Sequence, residues 1–277
     1  MDISNRLKTV AKAVTPGRIP ADIGTDHGYV PIYLVKHGIC PKALALDINP
    51  GPLARARENI EREKLEDRIA IRLSDGLKHL RTEEADTIII AGMGGTLICR
   101  ILEAAPDFFA AGKELILSPH SEWFKVRHFL SACHYRIGKE WFLKEDGKYY
   151  VVIRAWPGEE RGDGPPFKKR QEEVCARYGP CLLEEGDPLL YEYLVEDVKK
   201  KKKILLGLAA RGKKETPRYK EIESLTASAL YAMDIIVSRN PEAAALMQQS
   251  ADFSEPDDKP GYVVNDHLSD PAVAGRL

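Results

Sequence analysis

Within residues 1–156, short apolar runs that read as strands alternate with helical segments, and this alternation limits the possible folds more than any other feature. Strands that alternate with helices over short connections predict an α/β fold with a mostly parallel, doubly wound sheet. The run Ile88-Ile89-Ile90 suits a strand that is buried on both faces. A hairpin with Asp146-Gly147 near its turn closes this region and is expected to add an antiparallel edge.

The first strand candidate runs into the turn ADIGTDHGYVP, which resembles a nucleotide-binding glycine turn. Asp22, Gly24 and Gly28 have the expected spacing, but Asp26 stands where a dinucleotide turn has a second glycine. A carboxylate there would repel a pyrophosphate by a few kcal/mol at an effective dielectric of about 20. S-adenosylmethionine has no phosphate and carries two cationic groups. The turn therefore favours this methyl donor over NAD.

Two further acidic residues end the next two strand candidates. Asp47 lies 23 positions after Gly24 and precedes Ile48, close to the roughly 20 positions expected for a ligand of the ribose hydroxyls. Asp75 precedes Gly76 and could accept a hydrogen bond from the adenine amino group. Each aspartate alone could simply cap a loop. Together they predict one crevice at the carboxyl edge of the sheet.

The fourth strand candidate ends in AGMGG, which includes Gly92, Met93 and Gly94. Methyltransferases that act on exocyclic amines of nucleic acids usually carry an Asn- or Asp-Pro-Pro-aromatic motif at this place. Its absence indicates a ring nitrogen as the target, and the glycines leave room for a flat base or for the donor. The alternative interpretation is close packing of the strand on the following helix.

The segments SNRLKTVA, GTDHGYVP, AGMGGTLI, ELILSPH and EDGKYYVVIRA together resemble the bacterial tRNA adenine-N1 methyltransferases that modify position 22, the TrmK-like family. The resemblance covers about residues 3–156. It implies a Rossmann-like class I methyltransferase with a C-terminal α-helical coiled coil, acting on tRNA. The family pattern has Gln-Pro-Asn where this chain has Ser118-Pro119-His120. The residues predicted to bind S-adenosylmethionine are Asp22, Gly24, Asp26, His27, Gly28, Asp47, Ile48, Asp75, Gly76, Gly92, Met93 and Gly94.

Two residues of the glycine turn are candidates for the catalytic step. In N1 methylation, the lone pair of the ring nitrogen attacks the sulfonium methyl in line, and Asp26 could orient or accept a proton from N6. Tyr29 could stack on or hydrogen-bond the base, as could His27. A structural role at the start of the helix is the alternative for both rings.

Composition changes near residue 157, where PGEERGDGPP reads as a linker. We therefore expect a methyltransferase domain at 1–157 and a helical coiled-coil domain at 166–240. Two antiparallel helices account for that second domain, because apolar residues recur at 3-4 spacing between Ile222 and Ile236. Residues 241–277 show little periodicity and are expected to form a flexible tail.

The net charge of the whole chain is −1, but positive charge is concentrated locally. Residues 199–220 contain ten lysines and arginines against one glutamate, which favours contact with an RNA backbone. A solvated helix surface is the alternative. Arg6, in the first helix, either holds a phosphate or is a solvated charge. The residues predicted to bind RNA are Arg6, Lys199, Lys200, Lys203, Arg211 and Lys213.

The five cysteines form no C-x-x-C pair, so we expect neither a metal site nor a disulfide framework. The N-terminus lacks the apolar core of a signal peptide, and no stretch reaches the roughly 20 apolar residues of a membrane span. These features predict a cytoplasmic protein. Two alternatives to a tRNA methyltransferase stay open at this point: a small-molecule methyltransferase, and a non-catalytic RNA-binding protein with the same fold.

Overall fold

A computed structural model describes residues 3–158 and 169–248 of the chain. These residues fall into two compact units, which divide between Cys181 and Leu182. The first unit is built on a single seven-stranded sheet in the order β3-β2-β1-β4-β5-β7-β6. Its strands are β1 Pro20–Ile23, β2 Ala43–Asp47, β3 Ile69–Leu73, β4 Thr87–Ala91, β5 Glu114–Ser118, β6 Tyr135–Glu145 and β7 Lys148–Pro157.

Helices connect the strands of the first unit. They are α1 Asn5–Ala13, α2 Tyr29–Lys36, α3 Pro50–Arg62, a short 3-10 helix Thr82–Glu84, α4 Gly95–Glu103, α5 Pro106–Ala110, α6 Trp123–Ala132 and α7 Lys169–Tyr178. Strands β1 to β5 pair in parallel, which confirms the predicted doubly wound sheet. The strand order reverses at β1, whose neighbours are β2 and β4. Ligands bind such sheets outside the carboxyl ends of the strands at this reversal point.

Burial explains why the central strands read as continuous apolar runs. Every residue of β1, β2 and β5 is buried, and so are Ile88, Ile89 and Ile90 of β4. A strand that is covered by helices on both faces needs apolar side chains on both faces. The exceptions are polar residues at strand ends, among them Asp22 and Asp47.

The predicted hairpin is confirmed as β6 and β7, with β7 antiparallel to β5. Asp146 and Gly147 both have positive φ angles, of 49° and 72°, as a two-residue turn of the primed type requires. Helix α4 ends at Glu103, shortly before a proline. Pro106 begins a separate helix, α5, because proline suits a first helical position and disrupts a helix interior.

Helix α7 belongs to the first unit, whereas the sequence predicted a helical second domain at 166–240. The guanidinium of Arg127 reaches the end of α7, where Nη1 donates to the carbonyl of Arg177 at 3.0 Å. The same guanidinium forms a buried ion pair with Glu140, at 2.7 Å between Nε and Oε1. A second carboxylate oxygen of Glu140 accepts the backbone N–H of Cys181 at 3.1 Å. The unit boundary consequently lies later than the predicted linker, most of which is outside the described residues.

The second unit contains most of α8 Pro180–Glu185, together with α9 Pro188–Ala210, α10 Pro217–Arg239 and α11 Glu242–Gln248. Helices α9 and α10 are antiparallel, since Asn240 after α10 donates to the carbonyl of Gly186 before α9. The predicted seam of α10 is buried at Ile222, Ala229, Ala232 and Ile236. Helix α11 lies within the segment that was predicted to be a flexible tail, and residues 249–277 lie outside the described residues.

Candidate active site at the carboxyl edge of the sheet

The glycine turn after β1 is fixed to the neighbouring strand by its backbone. The N–H groups of Gly24 and Thr25 both donate to the carbonyl of Leu46 in β2, each at 2.8 Å. Gly24 and Gly28 have φ angles of +73° and +69°, a region that favours glycine. Asp22 is 6% exposed. Burial raises the pKa of its carboxyl to about 6; a side-chain hydrogen bond with Thr25 opposes this shift, and the nearby charge of Asp47 adds to it.

Asp26 is exposed at the surface of this turn and has a cationic partner. Its Oδ1 lies 3.0 Å from Nη2 of Arg55 in α3 and 3.4 Å from Nε2 of His27. From the sequence, this carboxylate was expected to be an uncompensated negative charge. The ion pair with Arg55 offsets part of that charge, so Asp26 repels a phosphate ligand less strongly than the sequence alone indicated.

The two aromatic residues of the turn pack on each other. The rings of His27 and Tyr29 are stacked, with centroids 5.0 Å apart and planes within 8°. The carbonyl of His27 accepts a hydrogen bond from Nδ2 of Asn59 at 2.8 Å, and its φ angle is 61°. These contacts hold the start of α2 in place, and both rings keep partly exposed surfaces beside Asp26.

The ends of β2 and β3 combine acidic and exposed apolar side chains. Asp47 is buried, and its Oδ1 accepts the N–H of Asn49 at 2.7 Å. Ile48 and Leu73 are 57% and 55% exposed, and they lie together at the ends of neighbouring strands, because Asp47 pairs with Leu73 in the sheet register. Asp75 is exposed and pairs with Lys78 at 2.5 Å. A carboxylate beside apolar side chains suits a nucleoside, whose base is flat and whose ribose carries hydroxyls.

The glycine-rich segment after β4 links the ends of β1 and β5. The carbonyl of Met93 accepts the N–H of His120 at 2.9 Å, and the N–H of Gly92 donates to Ser118 at 3.1 Å. The terminal methyl of Met93 lies over Gly24, so closely that a Cβ at Gly24 would overlap it. Gly92 has a φ angle of +85°, which explains why glycine stands there.

Three residues, Arg6, His120 and Tyr150, lie together at the same edge. Arg6 was predicted to bind RNA, but the grouping of the three was not predicted. The guanidinium carbon of Arg6 lies 5.4 Å from the ring centre of Tyr150, and the rings of His120 and Tyr150 meet edge to face at 5.7 Å. Partial desolvation lowers the pKa of His120, and the charges of Arg6 and Lys148 lower it further. Tyr150 lies in the segment EDGKYYVVIRA but was not predicted for the site, because only the pairing of β7 beside β5 brings it to this edge.

The residues at this edge fit a methyl donor of the nucleoside type. Oγ of Ser118 is a buried hydroxyl oxygen without a partner among the described residues. Asp22, Asp26 and Asp47 supply carboxylates, and the glycines leave the backbone accessible. Within the described residues no group of three or more His, Cys, Asp or Glu side chains is arranged to hold a metal ion. Nor does any helix there have the length and apolar character of a membrane span.

The predicted RNA-binding cations of the second unit are exposed on α9 and the turn after it. They are Lys199, Lys200, Lys203, Arg211 and Lys213. Part of the positive charge of this region is balanced locally. Lys201 pairs with Asp197, Lys200 lies 3.9 Å from Glu196, and Lys220 lies 2.8 Å from Glu215. The excess of positive charge is therefore smaller than the run of lysines suggests.

The first unit is similar in sequence to known methyltransferases. A family model described as a methyltransferase domain matches residues 3–153. The tRNA (adenine(22)-N(1))-methyltransferase of Bacillus subtilis is 40% identical over 159 residues, which cover 57% of this chain and 67% of that protein.

Solved structures extend the similarity to most of the chain. The B. subtilis M1A22 tRNA methyltransferase TrmK matches with a TM-score of 0.72 and 30% identity, over 86% of this chain and 98% of that one. M. capricolum TrmK in complex with the cofactor product S-adenosyl-homocysteine matches with a TM-score of 0.73 and 28% identity, over 84% and 99%.

Proposed function

The chain belongs to the family of bacterial tRNA (adenine(22)-N(1))-methyltransferases, and on that basis we propose that it transfers a methyl group from S-adenosylmethionine to N1 of adenine 22 in tRNA. One observation carries this proposal. The segments that form the nucleoside-type site, from the glycine turn to the hairpin, lie within the residues that match the family model. Action on tRNA also implies a cytoplasmic location.

S-adenosylmethionine supplies an electrophilic methyl group on a sulfonium sulfur. Asp47 holds the ribose hydroxyls through the carboxylate oxygen that Asn49 leaves open. Ile48 and Leu73 pack against the adenine faces, and Asp75 accepts from its amino group. Gly24, Gly28, Gly92 and Gly94 let the backbone approach the methionine portion. The other residues proposed to line the donor site are Asp22, His27, Gly76 and Met93.

Asp26 and Tyr29 are assigned to the chemical step. When the bond from N1 to the methyl carbon forms and the carbon–sulfur bond breaks, positive charge passes from sulfur to the adenine ring. The carboxylate of Asp26 stabilises that charge, and its pair with Arg55 fixes its position. Tyr29, stacked on His27, offers a ring face to the target base, which must leave its stack so that N1 on its Watson–Crick edge is reachable.

The tRNA backbone is assigned to two separate sets of cations. Arg6 in α1 carries its guanidinium over the ring of Tyr150 at the edge of the site, and we assign it to a phosphate beside the site. The lysines and arginines of α9 and the following turn neutralise phosphates without reading sequence.

The proposed function is tested against its alternatives by comparing methyl acceptors. The protein is incubated with labelled S-adenosylmethionine and either total tRNA from a strain that lacks the activity or a metabolite extract. Label in tRNA alone supports the proposal. Label in metabolites alone indicates a small-molecule methyltransferase. Binding of tRNA with no transfer, and no binding of the donor in calorimetry, indicates a non-catalytic RNA-binding protein.

A further inference from the structure

His120 occupies a position between the donor side of the site and the hairpin. Its backbone N–H donates to Met93, whose side chain covers Gly24 of the donor turn. Its Nε2 lies 3.8 Å from the place where a side chain on Gly92 would begin. The imidazole therefore lies beside Gly92. His120 follows β5 and Asp47 ends β2, so β1 and β4 lie between them in the sheet.

The imidazole is available for a ligand. Neither ring nitrogen of His120 has a hydrogen-bond partner among the described residues, although its ring packs against Tyr150. The residue as a whole is exposed. The charged groups around it are Arg6 and Lys148, both cationic. Cationic neighbours favour the neutral imidazole, which has one nitrogen lone pair to accept a hydrogen bond.

We propose that His120 positions the target base, by accepting a hydrogen bond from the exocyclic N6 amino group of the adenine while N1 faces the methyl donor. This inference rests on the proposed function. The chain lacks an Asn- or Asp-Pro-Pro-aromatic motif after β4, so recognition of the amino group requires another residue. N6 is attached to the carbon next to N1. A hydrogen bond that holds N6 therefore also fixes the direction of the N1 lone pair.

The contact strengthens during the reaction. As N1 gains the methyl group, positive charge spreads through the ring to N6, and the N6–H group becomes a stronger donor. A hydrogen bond that grows stronger in the transition state accelerates the reaction, whereas one of constant strength only improves binding. The effect of removing His120 should therefore fall on the rate of methyl transfer more than on tRNA affinity.

The test is a double-substitution cycle, in which the His120 side chain is changed on the enzyme and the 6-amino group is removed from the target base. Two tRNAs are prepared, one with adenine at the target position and one with purine, which has N1 but no 6-amino group. Wild type, His120→Phe and His120→Asn are compared in single-turnover reactions. Phenylalanine keeps a ring against Tyr150 but has no acceptor, and asparagine restores an acceptor.

With the adenine tRNA, His120→Phe should slow transfer by about 10- to 100-fold, as expected for loss of a charge-assisted hydrogen bond. His120→Asn should lie within a few-fold of wild type. With the purine tRNA, wild type and His120→Phe should react at the same rate. His37→Phe is the matched control, because His37 also packs on a tyrosine, Tyr33, but lies at the far end of α2.

An equal loss on both tRNAs, or no loss on the adenine tRNA, would overturn the proposal. If the purine tRNA reacts too slowly to follow, binding is measured instead of rate. The affinities of the two tRNAs are then compared for the enzyme saturated with S-adenosylhomocysteine. Wild type should prefer the adenine tRNA, and His120→Phe should lose that preference. An unchanged preference would also overturn it. Failure of wild type to methylate the adenine tRNA would instead contradict the proposed function.

Discussion

Asp26 and Arg55 form an ion pair between the glycine turn and α3, with 3.0 Å between Oδ1 and Nη2. Both side chains are substantially exposed, so the pair contributes little to stability. Its consequence is positional, because Arg55 holds the carboxylate at the edge of the site. A substitution of Arg55 should therefore change the position of the Asp26 carboxylate without changing its charge, whereas Asp26→Asn removes the charge itself.

Asp26→Asn should reduce the rate of methyl transfer by about 10²- to 10⁴-fold, in the range that removal of a catalytic side chain typically gives, and should change tRNA affinity much less. Arg55→Gln keeps the carboxylate but loosens it, so its effect should be smaller. Single-turnover rates and filter-binding affinities of both variants check this. Equal effects of the two variants would show that Asp26 acts only through its pair with Arg55.

Asp47→Ala should weaken binding of S-adenosylmethionine by about 1–3 kcal/mol, because it removes a charge-assisted acceptor for the ribose hydroxyls. Titration calorimetry measures this directly. Asp67→Ala is the control, since Asp67 is an exposed aspartate in the turn between α3 and β3. Unchanged affinity in Asp47→Ala would remove Asp47 from the donor site.

Asp22 should make the stability of the protein depend on pH. Burial raises the pKa of its carboxyl from 3.8 to about 6, so the folded chain holds this proton more tightly than the unfolded chain. The protonated carboxyl therefore contributes stability that is fully present below pH 3.8 and is lost as the pH rises through 6. The free energy of unfolding falls by about 3 kcal/mol over this range.

Asp22→Asn removes that cost. The variant should be more stable than wild type at pH 8, and the difference in free energy of unfolding should shrink towards pH 4. Urea denaturation at pH 4.5, 6 and 8 checks the trend. A difference that is the same at all three pH values would show that the carboxyl is not desolvated in the folded protein.

Replacing Lys199, Lys200 and Lys203 with glutamine should weaken tRNA binding and flatten its salt dependence, by up to about 0.9 slope units per lost contact with duplex phosphate. Affinity for S-adenosylmethionine should not change, because no proposed donor ligand lies in the second unit. The matched control replaces Arg218 and Lys220, which pair with Glu221 and Glu215. If the salt slope stays at the wild-type value, these lysines are a solvated surface and the RNA is held elsewhere.

The periodicity of the sequence predicted the sheet and the main helices. A strand that is buried on both faces is a continuous run of apolar residues, and the main helices have apolar residues at helical spacing. It did not predict the unit boundary, which depends on Arg127 and Glu140 meeting in the interior and holding the end of α7. An ion pair of this kind has no local sequence pattern. The helices α7, α8 and α11 were missed because each is short and has little apolar repeat.

The donor side of the site was predictable because its residues follow strand ends at regular intervals. Arg55 was not, since its partner lies 29 residues away on another element. The His120–Tyr150 contact likewise depends on the antiparallel placement of β7 beside β5. Residues that come together only through sheet pairing require the three-dimensional structure.

The most direct measurement is mass spectrometry of nucleosides from a defined tRNA after incubation with the protein and S-adenosylmethionine, together with mapping of the modified position. We expect 1-methyladenosine at position 22, and no product when that adenine is replaced by guanine. Absence of 1-methyladenosine, or its appearance at another position while adenine 22 stays unmodified, would contradict the assignment.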